Sequence, residues 1–345
     1  MPARAFIAGL ASSVLSPVER AFLRDADPWG IILFKRNIET PKQVCRLTAS
    51  IREALARDAP ILVDQEGGRV QRLGPPHWPL YPAGAVYGEL YEEDAASGRR
   101  AAYLGACLIA ADLIAVGIDV DCLPIADLSV RGADRVIGNR AYAESAVAVA
   151  AIARSVAEGL LERGVLPVLK HIPGHGRARA DSHFELPVVH ADRATLVATD
   201  FAAFAPLFDL PLGMTAHVVY TAIDPLAPAT TSVTVVRDLI RGSLNFHGLL
   251  MTDDISMGAL SGSLAERSQA AIAAGCDVIL HCSGKLEEMQ QVAAAVPPIA
   301  GEVDARAHGA LARRRQISNG GDLSELRAEW AHLLDRTRVS RSAIS

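Results

Sequence analysis

VLPVLKHIPGHG, residues 165–176, joins a short apolar run to a polar segment rich in glycine. The apolar run is typical of a buried strand, and the proline and glycines after it favour a loop of defined shape. Lys170, His171 and His175 lie in that loop, and Asp181 and His183 follow closely. Titratable side chains directly after a buried strand are typical of α/β enzymes. The stretch therefore predicts a parallel sheet with its chemistry at the strand ends.

Eight short apolar runs of this kind recur along the chain. They cover residues 5–9, 30–34, 61–64, 118–122, 166–169, 212–216, 248–252 and 277–281. Near-continuous apolar strands separated by helices indicate a parallel sheet that is buried on both faces. Helices are expected from a capping pattern that begins at Ser16-Pro17 and over 41–56, 99–116, 144–163, 193–207 and 263–274. The alternation predicts an α/β fold, a (β/α)8 TIM barrel.

We expect a single domain over residues 1–345, with C-terminal helices and a tail after about residue 284. The alternative is an open doubly wound sheet, which usually carries a glycine-rich nucleotide site after an early strand. The chain has neither a dinucleotide fingerprint nor a P-loop, and no linker rich in proline, glycine and serine divides it. The barrel is therefore the favoured prediction.

Composition limits the classes of function. The chain has 345 residues, of which 50% are hydrophobic, and this is enough for a large buried core. Its net charge is −5, so it has no basic excess that would suggest nucleic acid or a membrane surface as partner. No signal peptide and no apolar run of about 18 residues is found. The cysteines are odd in number and scattered, which predicts reduced core residues in a cytoplasmic protein. They are Cys45, Cys107, Cys122, Cys276 and Cys282.

Polar residues follow five of the predicted strands, and in a barrel the carboxyl ends of the strands surround one active site. Nothing comparable precedes the strands. The residues are Asp64 after strand three, Asp127 and Arg140 after strand four, Lys170 and His171 after strand five, His217 after strand six, and Asp253 with Asp254 after strand seven.

Three interpretations of the loop after strand five stay open on these residues alone. The first is a polar turn with exposed histidines. The second is a metal-dependent hydrolase that uses His171, His175, Asp181 and His183, although no His-x-x-x-His helix or cysteine pair accompanies them. The third is a metal-free acid/base dyad of Asp181 and His183, with the neighbouring residues gripping the substrate.

Five segments resemble glycoside hydrolase family 3, in particular its bacterial β-N-acetylglucosaminidases of the single-domain cytoplasmic kind that recycle cell wall. They occur in the order of the family and together form a specific pattern. One departure is Ile172, where the family usually has Phe, which should alter packing and leave the chemistry alone. The segments are GIILFKRNI (30–38), VDQEGGRVQR (63–72), VIGNR (136–140), Lys170 through His183, and TDDISM (252–257).

The resemblance implies a retaining exo-β-N-acetylglucosaminidase without metal or cofactor. In this reading Asp253 is the nucleophile, His183 the proton donor and acceptor, and Asp181 the residue that orients His183. The substrate would be a muropeptide, N-acetylglucosaminyl-anhydro-N-acetylmuramic acid with its peptide, and the enzyme a monomer. The residues implied to bind the terminal N-acetylglucosamine are Asp64, Arg72, Arg140, Lys170 and His171.

Four further residues receive weaker predictions. Neighbours at a strand end point to opposite sides and the resemblance selects Asp253, so Asp254 is interpreted as structural, capping the next helix. Glu66 is a rival for the acid, but we expect it to stabilise its loop through the following glycines. His175 and His217 remain evenly divided between structural and functional roles. A β-glucosidase of the same family and a non-catalytic sugar-binding barrel are the remaining alternatives.

Overall fold

A computed structural model describes residues 2–314 and 322–342, apart from the side chains of residues 336–342. Eight parallel strands lie side by side in the order β7-β6-β5-β4-β3-β2-β1-β8, and a parallel bridge between Met251 and Val278 brings β7 against β8. The sheet therefore closes into the predicted (β/α)8 barrel. The strands are β1 (Arg4–Gly9), β2 (Pro28–Leu33), β3 (Ile61–Val63), β4 (Val120–Asp121), β5 (Leu166–Ile172), β6 (Leu212–Thr215), β7 (Leu249–Met251) and β8 (Ile279–His281).

All eight predicted strands are confirmed, with ends that differ by a few residues. Strand side chains such as Phe6, Ile31, Leu62, Val168 and Leu250 are fully or almost fully buried. Burial on both faces explains why the strands lack the alternation of polar and apolar residues that a half-exposed sheet would show.

Eleven α-helices are described around and after the barrel. They are α1 (Pro17–Ala26), α2 (Pro41–Leu55), α3 (Gly84–Glu93), α4 (Ala95–Ile114), α5 (Ala146–Glu162), α6 (Arg193–Ala198), α7 (Asp200–Phe204), α8 (Leu264–Ala274), α9 (Leu286–Ala295), α10 (Gly301–Leu311) and α11 (Leu323–Ser342).

The helix starts follow local chemistry. At α1, the Ser16 hydroxyl accepts a hydrogen bond from the Glu19 amide and the Glu19 carboxylate accepts one from the Ser16 amide, so the predicted capping box is present. The same reciprocal pair, Ser263 and Glu266, begins α8. These caps fix where each helix leaves the barrel rim.

The structure differs from the helix predictions in three places. The helix predicted at 99–116 begins earlier, at Ala95, and α3 precedes it. The helix predicted at 193–207 is broken at Thr199, whose φ and ψ of −124° and −82° are not helical. No helix was predicted between β6 and β7, where a π-helix covers Thr234–Ser243.

Two buried carboxylates form ion pairs at the end of the barrel where the strands begin. Asp119 accepts hydrogen bonds from Arg52 and from Arg314, which follows α10. Asp277 does the same with Arg241 and with Arg306 of α10. These ion pairs lie at the start of β4 and of β8, opposite the end where the predicted site residues lie.

Two compositional predictions also meet the structure here. None of the helices in the described ranges is long and apolar enough to cross a membrane. Cys107, Cys122 and Cys276 are buried and unpaired as predicted, whereas Cys45 is exposed and Cys282 only partly buried. The interpretation of all five as core residues was therefore wrong for Cys45, which lies on the outer surface of α2.

Candidate active site

A cavity of about 290 Å³ opens at the carboxyl ends of the strands. The predicted residues that line it are Asp64, Arg72, Arg140, Lys170, His171, His183 and Asp253. Asp181 lies in an adjoining cavity of about 450 Å³, which shares Arg140 and His183 with the first. Side chains far apart in sequence thus meet at one face, as the barrel topology predicts.

Five charged side chains form a compact network at one side of the cavity. Lys170, only 2% exposed, contacts Asp64 at 2.9 Å and Glu66 at 2.7 Å through its Nζ atom. Arg72 donates to the other oxygen of Asp64 at 3.0 Å. Arg140 donates to both oxygens of Glu66 at 2.8 Å. Two carboxylates therefore hold three cations, and each cation is fixed by at least one carboxylate oxygen.

The network keeps its two carboxylates and Lys170 ionised. Burial alone would raise the pKa of Asp64, but the charges of Lys170 and Arg72 outweigh it and lower that pKa below its usual range. Burial opposes ionisation of Glu66 as well, and Arg140 and Lys170 lower its pKa. Burial acts to lower the pKa of Lys170, but Asp64 and Glu66 raise it. The site thus presents fixed donors and acceptors to a ligand rich in hydroxyl groups.

The wall of the cavity also has apolar and aromatic parts. The guanidinium of Arg72 lies 5.4 Å from the centre of the Phe34 ring, so this cation is held by both a carboxylate and an aromatic face. The other apolar residues that line the cavity include Ile32, Met214, Met257 and Leu280.

His171 connects a buried carboxylate to the proposed nucleophile. Its Nδ1 atom lies 2.7 Å from Asp127, and its Nε2 atom lies 4.0 Å from Asp253. Asp127 is completely buried and also accepts the His175 amide at 2.6 Å. Although burial would raise the pKa of Asp127, the charge and hydrogen bond of His171 lower it. The imidazole is therefore held at Nδ1 and presents Nε2 to the cavity.

Asp253 follows β7 and faces this imidazole. Burial would raise its pKa, but the imidazoles of His171 and His217 and the Asp254 amide lower it below the usual value. That amide donates to the Asp253 carboxylate at 2.8 Å. The carboxylate is thus ionised at neutral pH and directed into the cavity, as a nucleophile requires.

The segment of residues 174–186, here termed the dyad loop, carries Asp181 and His183. The Asp181 carboxylate accepts the His183 amide at 2.9 Å and lies 2.7 Å from its Nδ1 atom. Burial would raise the pKa of Asp181, but the hydrogen bonds from His183 outweigh it and lower that pKa. The imidazole is 61% exposed, and Nε2 is the ring nitrogen that Asp181 does not engage.

The two undecided histidines are buried. Burial and the neighbouring charge of His171 lower the pKa of His175 to about 4, and its Nε2 atom lies 3.1 Å from the Ser182 hydroxyl inside the dyad loop. His217 lies between the Thr230 hydroxyl at 2.7 Å and the Asp254 carbonyl at 3.0 Å. Burial lowers its pKa too. Burial thus disfavours the charged form of both, and His175 lies within the dyad loop while His217 contacts the residue after Asp253.

Two predictions about carboxylates were wrong in part. Glu66 does not act through its glycines, because its carboxylate is enclosed by Arg140 and Lys170. Asp254 does not cap a helix. Its carboxylate accepts the Ser256 amide at 3.1 Å and the Cys282 amide at 3.2 Å, and so joins the turn after β7 to the end of β8.

Sequence reasoning missed the roles of Glu66 and Asp127. A signal was present, because a lysine in an apolar strand end needs carboxylate partners, and a histidine with one directed nitrogen needs an acceptor for the other. Among the described residues, no group of three or more histidine, cysteine, aspartate or glutamate side chains is arranged to hold a metal ion. His171 and His183 each have Nδ1 engaged by a carboxylate.

Comparison with known proteins gives similarity over most of the chain. Residues 11–312 match the model of the glycosyl hydrolase family 3 N-terminal domain. The chain is 41% identical over 279 residues to a β-hexosaminidase of Alkalilimnicola ehrlichii, which covers 80% of this chain and 79% of that protein. NagZ from Neisseria gonorrhoeae in complex with N-trifluoroacetyl-D-glucosamine is 30% identical, with a TM-score of 0.87 and coverage of 97% of this chain and 99% of that chain. The same protein in complex with zinc ion gives a TM-score of 0.85 at 29% identity, over 97% of this chain and 98% of that chain.

Proposed function

The chain belongs to glycosyl hydrolase family 3 and is a glycoside hydrolase of the β-hexosaminidase type, and from this premise we propose that it releases terminal β-linked N-acetylglucosamine with retention of configuration. The observation that carries the proposal is the juxtaposition of an ionised Asp253 with the charged network and the dyad loop around one cavity. The cavity volume of about 290 Å³ suits one terminal sugar unit.

The charged network serves as the grip on the sugar. Asp64 accepts hydrogen bonds from hydroxyl groups, and the cations Arg72, Arg140 and Lys170 donate to oxygens of the ring substituents. Because each cation is already held by a carboxylate, little rotational freedom is lost when the sugar binds. His171 contributes its Nε2 atom beside the nucleophile.

The reaction proceeds in two steps that share a proton carrier. The Asp253 carboxylate attacks the anomeric carbon while the bond to the leaving oxygen breaks, and protonated His183 gives its proton to that oxygen. Neutral His183 then takes a proton from water, whose oxygen attacks the same carbon and frees Asp253. Asp181 holds Nδ1 of His183 throughout, so that Nε2 exchanges the proton.

The leaving group lies on the side of the adjoining cavity in this proposal. That cavity meets the first at His183 and Arg140 and is lined further by Arg69, Asp134 and Arg135. Its volume of about 450 Å³ accommodates a second sugar unit. A muropeptide with anhydro-N-acetylmuramic acid next to the terminal N-acetylglucosamine, cleaved by a cytoplasmic monomer during peptidoglycan recycling, is the substrate and setting we propose.

Two alternatives remain to be separated from this function. A metal-dependent hydrolase is considered because a related structure is a complex with zinc ion. The arrangement of donors argues against it, since no suitable group of three is found in the described residues. The second alternative is a β-glucosidase of the same family, whose substrate differs from the proposed one in the substituent at the second carbon of the sugar.

Paired kinetics on p-nitrophenyl N-acetylglucosaminide and p-nitrophenyl glucoside test the proposed specificity. We expect kcat/KM to favour the N-acetylglucosaminide by at least about 100-fold, because a site built around a polar substituent discriminates strongly against its absence. Equal or greater turnover of the glucoside would support the β-glucosidase instead.

A further inference from the structure

Several hydrogen bonds hold the turn that follows the proposed nucleophile, residues 254–260. The Ile255 amide donates to the Leu280 carbonyl at 2.9 Å, at the end of β8. Arg267 of α8 donates to the carbonyls of Ile255 and Met257, both at 3.1 Å. The Asp254 carboxylate accepts from the Ser256 amide, as described above, and from the Ser256 hydroxyl at 2.7 Å. The 254–260 turn, here termed the ledge, is therefore held in place beside the cavity.

The dyad loop rests on this ledge through its backbone. The Gly258 amide donates to the His183 carbonyl at 3.1 Å, and the Ala259 amide donates to the Ser182 carbonyl at 3.1 Å. The contacts thus involve the proposed acid/base residue itself and its neighbour. They join two segments that lie far apart in the sequence and that carry the two halves of the proposed chemistry.

Gly258 is required here by proximity and not by its backbone conformation. A Cβ atom at this position would lie 2.8 Å from the Phe184 carbonyl oxygen and 2.9 Å from the His183 carbonyl oxygen. Both are backbone atoms, which cannot rotate away as a flexible side chain can. The φ angle of Gly258 lies outside the left-handed region, so alanine fits the local chain. Any larger residue must push the dyad loop off the ledge.

We propose that Gly258 is a positioning residue, which with the Ala259 amide sets where His183 stands relative to Asp253. This inference rests on the proposed function, in which His183 transfers the proton. Met257 of the ledge lines the cavity, but Gly258 does not, and it acts through His183. A substitution at Gly258 therefore impairs proton transfer, while sugar binding through the charged network is preserved.

Gly258→Ala tests the proposal, with Gly74→Ala as the matched control. Both variants add one methyl group to a loop glycine on this side of the barrel, but at Gly74 the nearest atom is the Gln71 side-chain nitrogen at 3.6 Å, an ordinary contact. We expect Gly258→Ala to lower kcat on an N-acetylglucosaminyl disaccharide at least about tenfold more than on an activated nitrophenyl glycoside, because the poor leaving group depends on the acid. For Gly258→Ala, KM for the nitrophenyl glycoside and the temperature of thermal unfolding should stay close to the parent values. The activity of the Gly74→Ala control should also stay close to that of the parent.

The Gly258→Ala and His183→Ala double variant decides the outcome. If Gly258 acts through His183, its substitution has no further effect when His183 is already alanine. Additive losses, equal losses on both substrates, or full activity of Gly258→Ala would overturn the inference. Failure of the proposed function is distinguishable, because His183→Ala alone would then show no dependence on the leaving group.

Discussion

The imidazole Nε2 atom of His171 lies 4.0 Å from the Asp253 carboxylate. The contact on the opposite side of the ring sets this orientation, because Nδ1 of His171 is 2.7 Å from the buried carboxylate of Asp127. A fully buried, ionised carboxylate thus orients a side chain that faces the nucleophile, without itself reaching the cavity.

Asp127→Asn should lower kcat/KM for the nitrophenyl N-acetylglucosaminide about 10- to 100-fold, the range for loss of an orienting partner. An amide in place of the carboxylate forces His171 towards the other tautomer. Asp119→Asn is the control, since Asp119 is a buried, ion-paired carboxylate at the opposite end of the barrel. It should lower the melting temperature and leave kcat unchanged. Parent-like kinetics for Asp127→Asn would remove this role.

His183→Ala should slow cleavage of a natural-type disaccharide about 100- to 10,000-fold, the usual contribution of general acid catalysis. An activated nitrophenyl glycoside should suffer far less, and azide should restore part of its rate because it needs no general base. Asp181→Ala should act in the same direction more weakly. His190→Ala, an exposed histidine just beyond the dyad loop, is the control. Equal impairment on both substrates without azide rescue would argue for a structural dyad.

Lys170→Met should cost about 3–5 kcal/mol in the free energy of unfolding at pH 7, because it leaves two buried carboxylates without their shared cation. Lys285→Met is the control, since this exposed lysine pairs with Glu288 at the surface and should cost no more than about 1 kcal/mol. Urea unfolding of both variants gives the comparison. A loss at Lys170 no greater than that at Lys285 would contradict the charged network.

The same network gives the parent protein a pH dependence of defined sign. The pKa values of Asp64 and Glu66 are lowered on folding, so their stabilisation is complete above the unfolded values of about 4 and is lost as the pH falls through the folded ones. Lys170→Met should weaken this loss on acidification, because it removes a cause of the lowered pKa values. Unfolding measured between pH 7 and pH 3 would show an unchanged slope if the network were unimportant.

Chelators should leave activity intact, because the proposed mechanism uses His171, Asp181 and His183 without a metal. Metal content and activity are measured before and after dialysis against a chelator. Stoichiometric zinc in active protein, together with loss of activity on its removal and recovery on its return, would favour a metal-dependent hydrolase.

The strands and most candidate site residues could be predicted because each depends on a local pattern. An apolar run gives a strand, and a polar residue at its carboxyl end in a barrel is directed to the common face. Asp64, Lys170 and Asp253 were found in this way, and the family motifs supplied their implied roles.

Contacts between distant segments could not be predicted. The pairing of Glu66 with Arg140 depends on the way two loops approach each other, and no spacing in the sequence encodes it. The docking of Gly258 on His183 is of the same kind. The π-helix at Thr234–Ser243 was missed although its buried residues, Val235, Val236, Leu239 and Ile240, recur at the three- and four-residue spacing of a helical face.

Trapping of the covalent intermediate tests the central claim, that Asp253 is the nucleophile of a retaining glycosidase. The protein is incubated with a 5-fluoro N-acetylglucosaminyl donor, digested and mapped by mass spectrometry, with Asp253→Ala as the control. We predict one sugar per chain, on the peptide that contains Asp253, and no label in the variant. A label on Asp254 or Glu66, or release of product with inverted configuration, would contradict the mechanism.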